Sequence, residues 1–409
     1  MDTEARELPQ TCEDDVTPKL SPEQLLSYEN YRIWKKNAPQ LYSLFMSQML
    51  PSPALSFQWF PDLDTPKNAS VTAHRFLTSS YTDTPEVIRL GEVKIPKNDE
   101  TLSLQDYSAL TEEIGGYQGH PHAGINVSQN ISVLGEVNRV RYMPQNPNII
   151  ATIGADGSVL MFDKSKHPAN PSNDECKADA TLCHHNSEGW SLSWNTKDRG
   201  KLLTCSSDGT VALWDLVNDY KSRSDGKMVT IAPKQVFIHH QGSVNDVTWH
   251  PSEKTLFASV GDDQKLYVID TTDNSTVYET DTRTASLSVA FSPFNNRVVA
   301  TSGEDGIVNL WDIKSTSQTP IGRLVGHEGP VGSLDWSPHN PRLLVSGSED
   351  KRAIIWDISK IGQKDGSEKL FVHAGHTERV TEVGWNRSLE GVIGSVAFNS
   401  LLHVWKVKD

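Results

Sequence analysis

A repeat constrains this chain of 409 residues more than any other feature. Six segments end alike: Leu160-Met161-Phe162-Asp163, Ala212-Leu213-Trp214-Asp215, Tyr267-Val268-Ile269-Asp270, Asn309-Leu310-Trp311-Asp312, Ile354-Ile355-Trp356-Asp357 and His403-Val404-Trp405-Lys406. Their aromatic or Ile positions lie 52, 55, 42, 45 and 49 residues apart. Six residues before each stands a turn residue: Asp156, Asp208, Asp263, Asp305, Asp350 or Asn399. Further upstream comes an alternating strand closing on Trp or Phe, as in Val244-Asn245-Asp246-Val247-Thr248-Trp249. Units of this kind cannot bury their faces alone, so each must stack on its neighbours and the stack must close. An all-β fold follows.

The pattern resembles WD40 repeats and predicts a seven-bladed WD40 β-propeller over 51–409. Residues 54–60, 75–81 and 87–95 read as three strands of a first unit that lacks the Trp-Asp ending. Segments 97–124, 164–181 and 217–233 are polar or contain Gly and read as insertions. The last unit ends within a few residues of Trp405, so its outer strand is expected from elsewhere, with residues 47–60 helping to close it.

Composition narrows the partners. Lys+Arg 38 against Asp+Glu 52 gives a net charge of −14, which repels phosphate backbones and attracts basic proteins. Direct nucleic-acid binding is therefore not expected. No apolar run approaches the roughly 18–20 residues that span a bilayer, and the acidic start Met1-Asp2-Thr3-Glu4 is unlike a leader. Cys12, Cys176, Cys183 and Cys205 form no CxxC pair and no metal spacing, which suits a reducing compartment. No metal, cofactor, membrane or small-molecule substrate is expected.

His, Ser/Thr and Asp recur together, which invites a hydrolase reading. The full sets are His185, Thr204, Asp208 and Trp214, then His327, Ser346, Asp350 and Trp356. Partial sets are His240, Ser259 and Asp263 with Ile269, and His376, Ser395 and Asn399 with Trp405. A nucleophile needs one such constellation beside a cleft and an oxyanion hole. Here the sets repeat in fixed register, and no GxSxG, HExxH or phosphate loop accompanies them. They read as structural tetrads that stiffen each blade, and no catalytic residue is assigned.

Ahead of the repeats, residues 1–20 read as a disordered acidic tail and 21–50 as an N-terminal helical segment packed on the propeller's side. Ser21-Pro22-Glu23-Gln24 is a helix start, and Pro39 is expected to break or restart the helix. Leu41, Leu44, Phe45 and Met49 then follow at i, i+3, i+4 and i+8, an apolar stripe at helical spacing. The stripe can cover the propeller flank or, with its edge, form a groove for a partner helix.

Several runs carry a closer likeness. Tyr31-Arg32-Ile33-Trp34-Lys35-Lys36-Asn37-Ala38-Pro39, Gln58-Trp59-Phe60-Pro61-Asp62, Glu136-Val137-Asn138-Arg139-Val140-Arg141-Tyr142-Met143-Pro144-Gln145-Asn146-Pro147 and His373-Ala374-Gly375-His376-Thr377 resemble the retinoblastoma-associated, Msi1 and Hat2 histone-binding WD40 proteins. The likeness runs from about residue 27 to 405. It implies a non-enzymatic subunit with two sites. One is a groove for the first helix of histone H4, mapping to Leu41, Leu44 and Phe45 faced by Ile361 and Phe371. The other is the top face, which takes the histone H3 N-terminus or Arg/Lys-rich peptides, at Glu136, Asn138, Arg139, Glu188 and Trp190.

This chain departs from the family at both places. The loop Gln363-Lys364-Asp365-Gly366-Ser367-Glu368-Lys369 is short and has no acidic excess, and Gln40 replaces an aromatic. At the top face Pro51, Asn245, Ala285 and Pro330 stand where acids are expected, implying a channel mouth much less acidic than in metazoan members. Such losses are most like the yeast small subunit of chromatin assembly factor 1.

The expected function is a histone H3–H4 binding subunit of a chromatin assembly factor 1-type chaperone, acting in nucleosome assembly during DNA replication. Its partners would be histones H4 and H3 and larger members of the complex, in the nucleus with the cytoplasm as a second compartment. The alternatives are a subunit of a type B histone acetyltransferase or a deacetylase complex, and a WD40 substrate receptor of a ubiquitin ligase. Adaptor docking in ligase receptors uses W-D-x-R, but Val217, Lys314 and Ser359 occupy the Arg position here.

Overall fold

The computed structural model describes residues 21–64, 70–82, 86–97, 107–108, 113–114, 124–171, 175–219, 228–363 and 366–408. The acidic tail 1–20, much of the 97–124 and 217–233 insertions, and Lys364 and Asp365 lie outside them, as does the side chain of Gln24. Among the described residues, no helix is long and apolar enough to cross a membrane.

Seven sheets of four strands or more form a seven-bladed propeller. Blade 1 is Phe57–Asp64, Val71–Ser79, Glu86–Pro96 and Gly124–Val133. In blades 2 to 7 the inner strands are Val137–Met143, Gly189–Trp194, Val244–Trp249, Ser286–Phe291, Val331–Trp336 and Val380–Trp385. Seven buried clusters fill the seven seams, each drawing on the two blades beside it. The inner-strand indoles stitch the ring: Trp194, Trp249, Trp336, Trp385 and Trp59 each donate to a carbonyl of the preceding blade at 3.0–3.1 Å. The third residue of the blade turns takes a positive φ, at Gly157, Gly209 and Gly306 but also at Gln264, Lys351 and Ser400. Blade 2 gains a fifth strand, Val229–Ile231, laid parallel to Ala180–Leu182 by the insertion that leaves blade 3.

The N-terminal segment differs from the sequence expectation. One helix runs Pro22–Leu41 with Pro39 inside it, so Pro39 neither breaks nor restarts it. Proline there forfeits a single main-chain bond with only two helical residues to follow, and Ala38 beside it is buried against the propeller. Residues 42–50 are not helical. Tyr42–Met49 is the outer strand of blade 7, antiparallel to Leu401–Val407. The closing strand thus begins upstream of the expected 47–60 and shares with it only Ser47, Gln48 and Met49.

The helical spacing of Leu44 and Phe45 has another cause: both faces of this strand are buried. Leu44 and Met46 enter the blade 7/1 seam, while Tyr42 and Phe45 enter the 6/7 seam.

Candidate binding surfaces

The repeated polar sets are hydrogen-bond networks. His327 meets Asp350 through Nδ1 at 2.8 Å and Ser346 Oγ through Nε2 at 2.7 Å, and Trp356 donates to the same hydroxyl at 2.8 Å. His185, Thr204, Asp208 and Trp214 repeat this at 2.8–3.0 Å. Burial alone would raise the Asp208 carboxyl, but hydrogen bonds from His185 and Thr210 hold it well below the usual range. In these two sets the hydroxyl is shared by an imidazole and an indole, which fixes it as part of the network.

Blade 7 builds a different interior. Trp34 donates to Tyr42 Oη at 2.9 Å, Tyr42 meets His373 Nδ1 at 2.7 Å, and His373 Nε2 meets His403 Nδ1 at 3.1 Å. His373, His376 and His403 bring three ring nitrogens together. The His376 and His403 rings stack 4.2 Å apart at 16°. A metal lies in the plane of every imidazole it binds, so these two cannot share an ion in this arrangement. His373 and His403 pack on Trp34 and Phe45 and so dock the N-terminal helix and strand, while His376 meets Ser395 Oγ at 2.8 Å.

On the flank, Leu41 and Phe371 line an apolar groove of about 580 Å³ with Leu343, Ile355, Leu370 and Trp385. Gln40 closes one side, and the rim is basic, with Lys406 and Lys408 and, among the described residues, no carboxylate in the lining. The other groove residues expected from sequence are elsewhere. Leu44 and Phe45 are core residues, 4% and 7% exposed. Ile361 packs into the blade 5/6 seam, within 2.8 Å of where a Cβ on Gly322 would lie.

The top face carries the tetrad loops and opens into the central channel. In blades 2 to 7 the second turn begins with an N–H that donates to the residue just before the inner strand. The pairs are Ala155 to Glu136, Ser207 to Glu188, Asp262 to Ser243, Glu304 to Ala285, Glu349 to Pro330 and Phe398 to Arg379, at 2.8–3.2 Å. Where the second member is acidic, the first is small; where the second is Ser, Ala or Pro, the first is acidic. Blades 2 to 6 therefore each supply one carboxylate: Glu136, Glu188, Asp262, Glu304 and Glu349. Ala285 and Pro330 carry no charge themselves, but Glu304 and Glu349 stand across the same main-chain bond from them.

Four of the five expected top-face residues belong to this surface. Asn138 Nδ2 donates to Glu188 Oε1 and to the Gly189 carbonyl, both at 3.0 Å, which holds Glu188 across the seam. Trp190 donates to Ser207 Oγ at 2.8 Å, and Glu136 is exposed. Arg139 does not belong here. It lies within the channel, pairing with Glu382 Oε1 at 2.9 Å beside Arg141. Burial would raise the Glu382 carboxyl, yet the two guanidiniums outweigh it and hold it below its ordinary range. Asp246, also in the channel, accepts from Ser191 and Ser288 at 2.6 and 3.0 Å, tying three blades together. Sequence reasoning missed Asp262, Glu304 and Glu349. Their signal was the residue before each turn Asp, in register with Ala155 and Ser207.

The ring, its tetrads and its channel define a WD40 propeller, and the WD domain, G-beta repeat family matches at residues 177–215, 231–270, 276–312 and 318–357. A second family, that of the histone-binding protein RBBP4 and its counterpart in the CAF1 complex, matches residues 29–97. Together the two matches support a histone-binding WD40 protein of the RBBP4/Msi1 type, and that family is one of non-catalytic scaffolds.

Proposed function

We propose that this chain is the H3–H4 binding subunit of a chromatin assembly factor 1-type histone chaperone, working in the nucleus in nucleosome assembly beside larger partners. The observation that carries this is where the histone-binding family match falls. Residues 29–97 hold most of the N-terminal helix, the closing strand and three strands of blade 1, and their Gln40 and Leu41 form one wall of the flank groove. The groove would take the apolar face of the first H4 helix, and Phe371 and Leu41 supply the contact area. Lys406 and Lys408 oppose a basic helix, so this contact is weaker than the top-face one. There, one carboxylate from each of five blades offers charge-assisted bonds to the Arg and Lys side chains of the H3 N-terminus. No bond is made or broken; the work is retention and hand-over.

The test is calorimetric titration of an H3 N-terminal peptide and an H4 first-helix peptide into wild type, Glu136→Lys/Glu188→Lys and Leu41→Asp/Phe371→Asp. Each pair should weaken only its own peptide, and unchanged affinities would remove the assignment. Affinity purification from native cells then separates the complexes: chromatin assembly factor partners support the proposal, while a type B acetyltransferase or a deacetylase replaces its finer part.

A further inference from the structure

The top face is not uniform. At the position before the inner strand, where blades 2 and 3 place Glu136 and Glu188, blade 7 places Arg379, in the same main-chain bond to its turn. Its guanidinium carbon stands 4.2 Å from the centroid of Phe398, and Nη1 is 3.6 Å from Glu349 Oε1. Phe398 packs in turn on Tyr81 of blade 1, with ring centroids 5.4 Å apart and planes at 48°. Two aromatic rings and a carboxylate thus form a platform across the blade 7/1 seam, with a guanidinium already resting on it.

We infer that Arg379 is a built-in surrogate for the basic side chain that the top face receives, covering the Phe398–Tyr81 platform until an arginine of the bound peptide displaces it. This rests on the top-face reading proposed above and adds the residue that regulates it. The platform's fit to a guanidinium is demonstrated by the one it holds, stacked on a ring and paired with an acid.

The hold is weak. The two ion-pair side chains are 46% and 51% exposed, and an exposed pair or an exposed cation–π contact contributes only a few-fold to an equilibrium. A peptide arginine that is also anchored through its neighbours to Glu188, Asp262 and Glu304 can therefore replace it. Moving Arg379 outward also removes a cation seated beside the Glu349 carboxylate. The covered state lowers apparent affinity by the fraction of time the platform is closed.

The test uses the full chain and a synthetic peptide of the first 15 residues of histone H3, titrated calorimetrically. Arg379→Ala should bind about threefold to tenfold more tightly than wild type, a size set by the two weak contacts it breaks. Arg352→Ala removes an equal charge from another, half-buried top-face arginine, paired with Glu328 at 3.4 Å, and should change affinity less than twofold. Phe398→Ala should weaken binding and abolish the gain from Arg379→Ala in the double variant.

A gain equal to that of Arg352→Ala would reduce the effect to net charge and overturn the proposal. Weaker binding by Arg379→Ala would also overturn it, making the arginine a staple or a direct contact. If wild type binds, Glu188→Lys loses binding and Arg379→Ala gains nothing, the surrogate fails while the top-face site stands. If wild type and Glu188→Lys bind alike, the site itself fails and the surrogate with it.

Discussion

The Trp34 indole donates to the Tyr42 hydroxyl at 2.9 Å, which ties the N-terminal helix to the strand that closes the ring. The same hydroxyl meets His373 of blade 6, so one side chain joins three elements. Tyr42→Phe leaves the indole and an imidazole nitrogen unpaired in a buried site and should cost about 2 kcal/mol or more. Gly375→Ala attacks the same joint by volume, because a Cβ there would lie 2.5 Å from Trp34 Cζ2. Urea unfolding should show both losses, and Gly375→Ala should additionally expose Trp34, seen as a red-shifted emission.

Acid should loosen blade 7. Burial lowers His376 to about 3, and burial, then the neighbouring rings, pushes His403 down as well. A histidine held neutral in the fold binds its proton only on unfolding, so its stabilisation is complete above about pH 6.5 and is lost as pH falls from there towards 3. Each such group contributes a slope of about 1.4 kcal/mol per pH unit in that window. His376→Gln should therefore reduce the dependence of unfolding free energy on pH between 6.5 and 5 by about one proton. An unchanged slope would mean that His376 is charged in the fold.

The tetrads predict unequal costs for one substitution. Ser346→Ala strands both His327 Nε2 and Trp356 Nε1, whereas Ser259→Ala strands only His240, since Ile269 replaces the indole in blade 4. With about 1–3 kcal/mol for each buried group left unpaired, Ser346→Ala should be the more destabilising by about 1–3 kcal/mol. Chemical denaturation of the two variants side by side measures the difference.

Charge at the flank can be reversed without touching the core. Lys408 is exposed on the groove rim. Lys408→Glu should tighten binding of an H4 first-helix peptide by about twofold to fivefold at low salt and lose that gain at about 0.5 M salt. Fluorescence anisotropy at the two ionic strengths reads both effects.

Much of the ring was legible because its signals repeat. Asp208 and Asp350, with their indoles six residues on, appear at nearly constant spacing, and one pattern seen six times is hard to mistake. The closing strand occurs once. Tyr42, Leu44, Phe45 and Met46 are buried on both faces of the strand, and that pattern has no period of 2 to distinguish it from a helix. Arg139 illustrates a second limit, since it follows Asn138 directly in the chain, yet side chains alternate along a strand, so one residue reaches Glu188 on the face and the next Glu382 in the channel. Glu304 and Glu349 were hidden by searching for acids at fixed positions, whereas the fold places two different positions at one point on the rim.

The seventh blade draws its outer strand, Tyr42–Met49, from early in the sequence and its other three, through Leu401–Val407, from far downstream. During synthesis the early strand must therefore wait, unpaired, for more than three hundred residues to emerge. Its apolar side chains are exposed to chaperones, or to strand-like segments of other proteins, throughout that interval. The torus closes only once Leu401–Val407 has left the ribosome, and a partner that reaches Tyr42–Met49 first could take the place of the clasp.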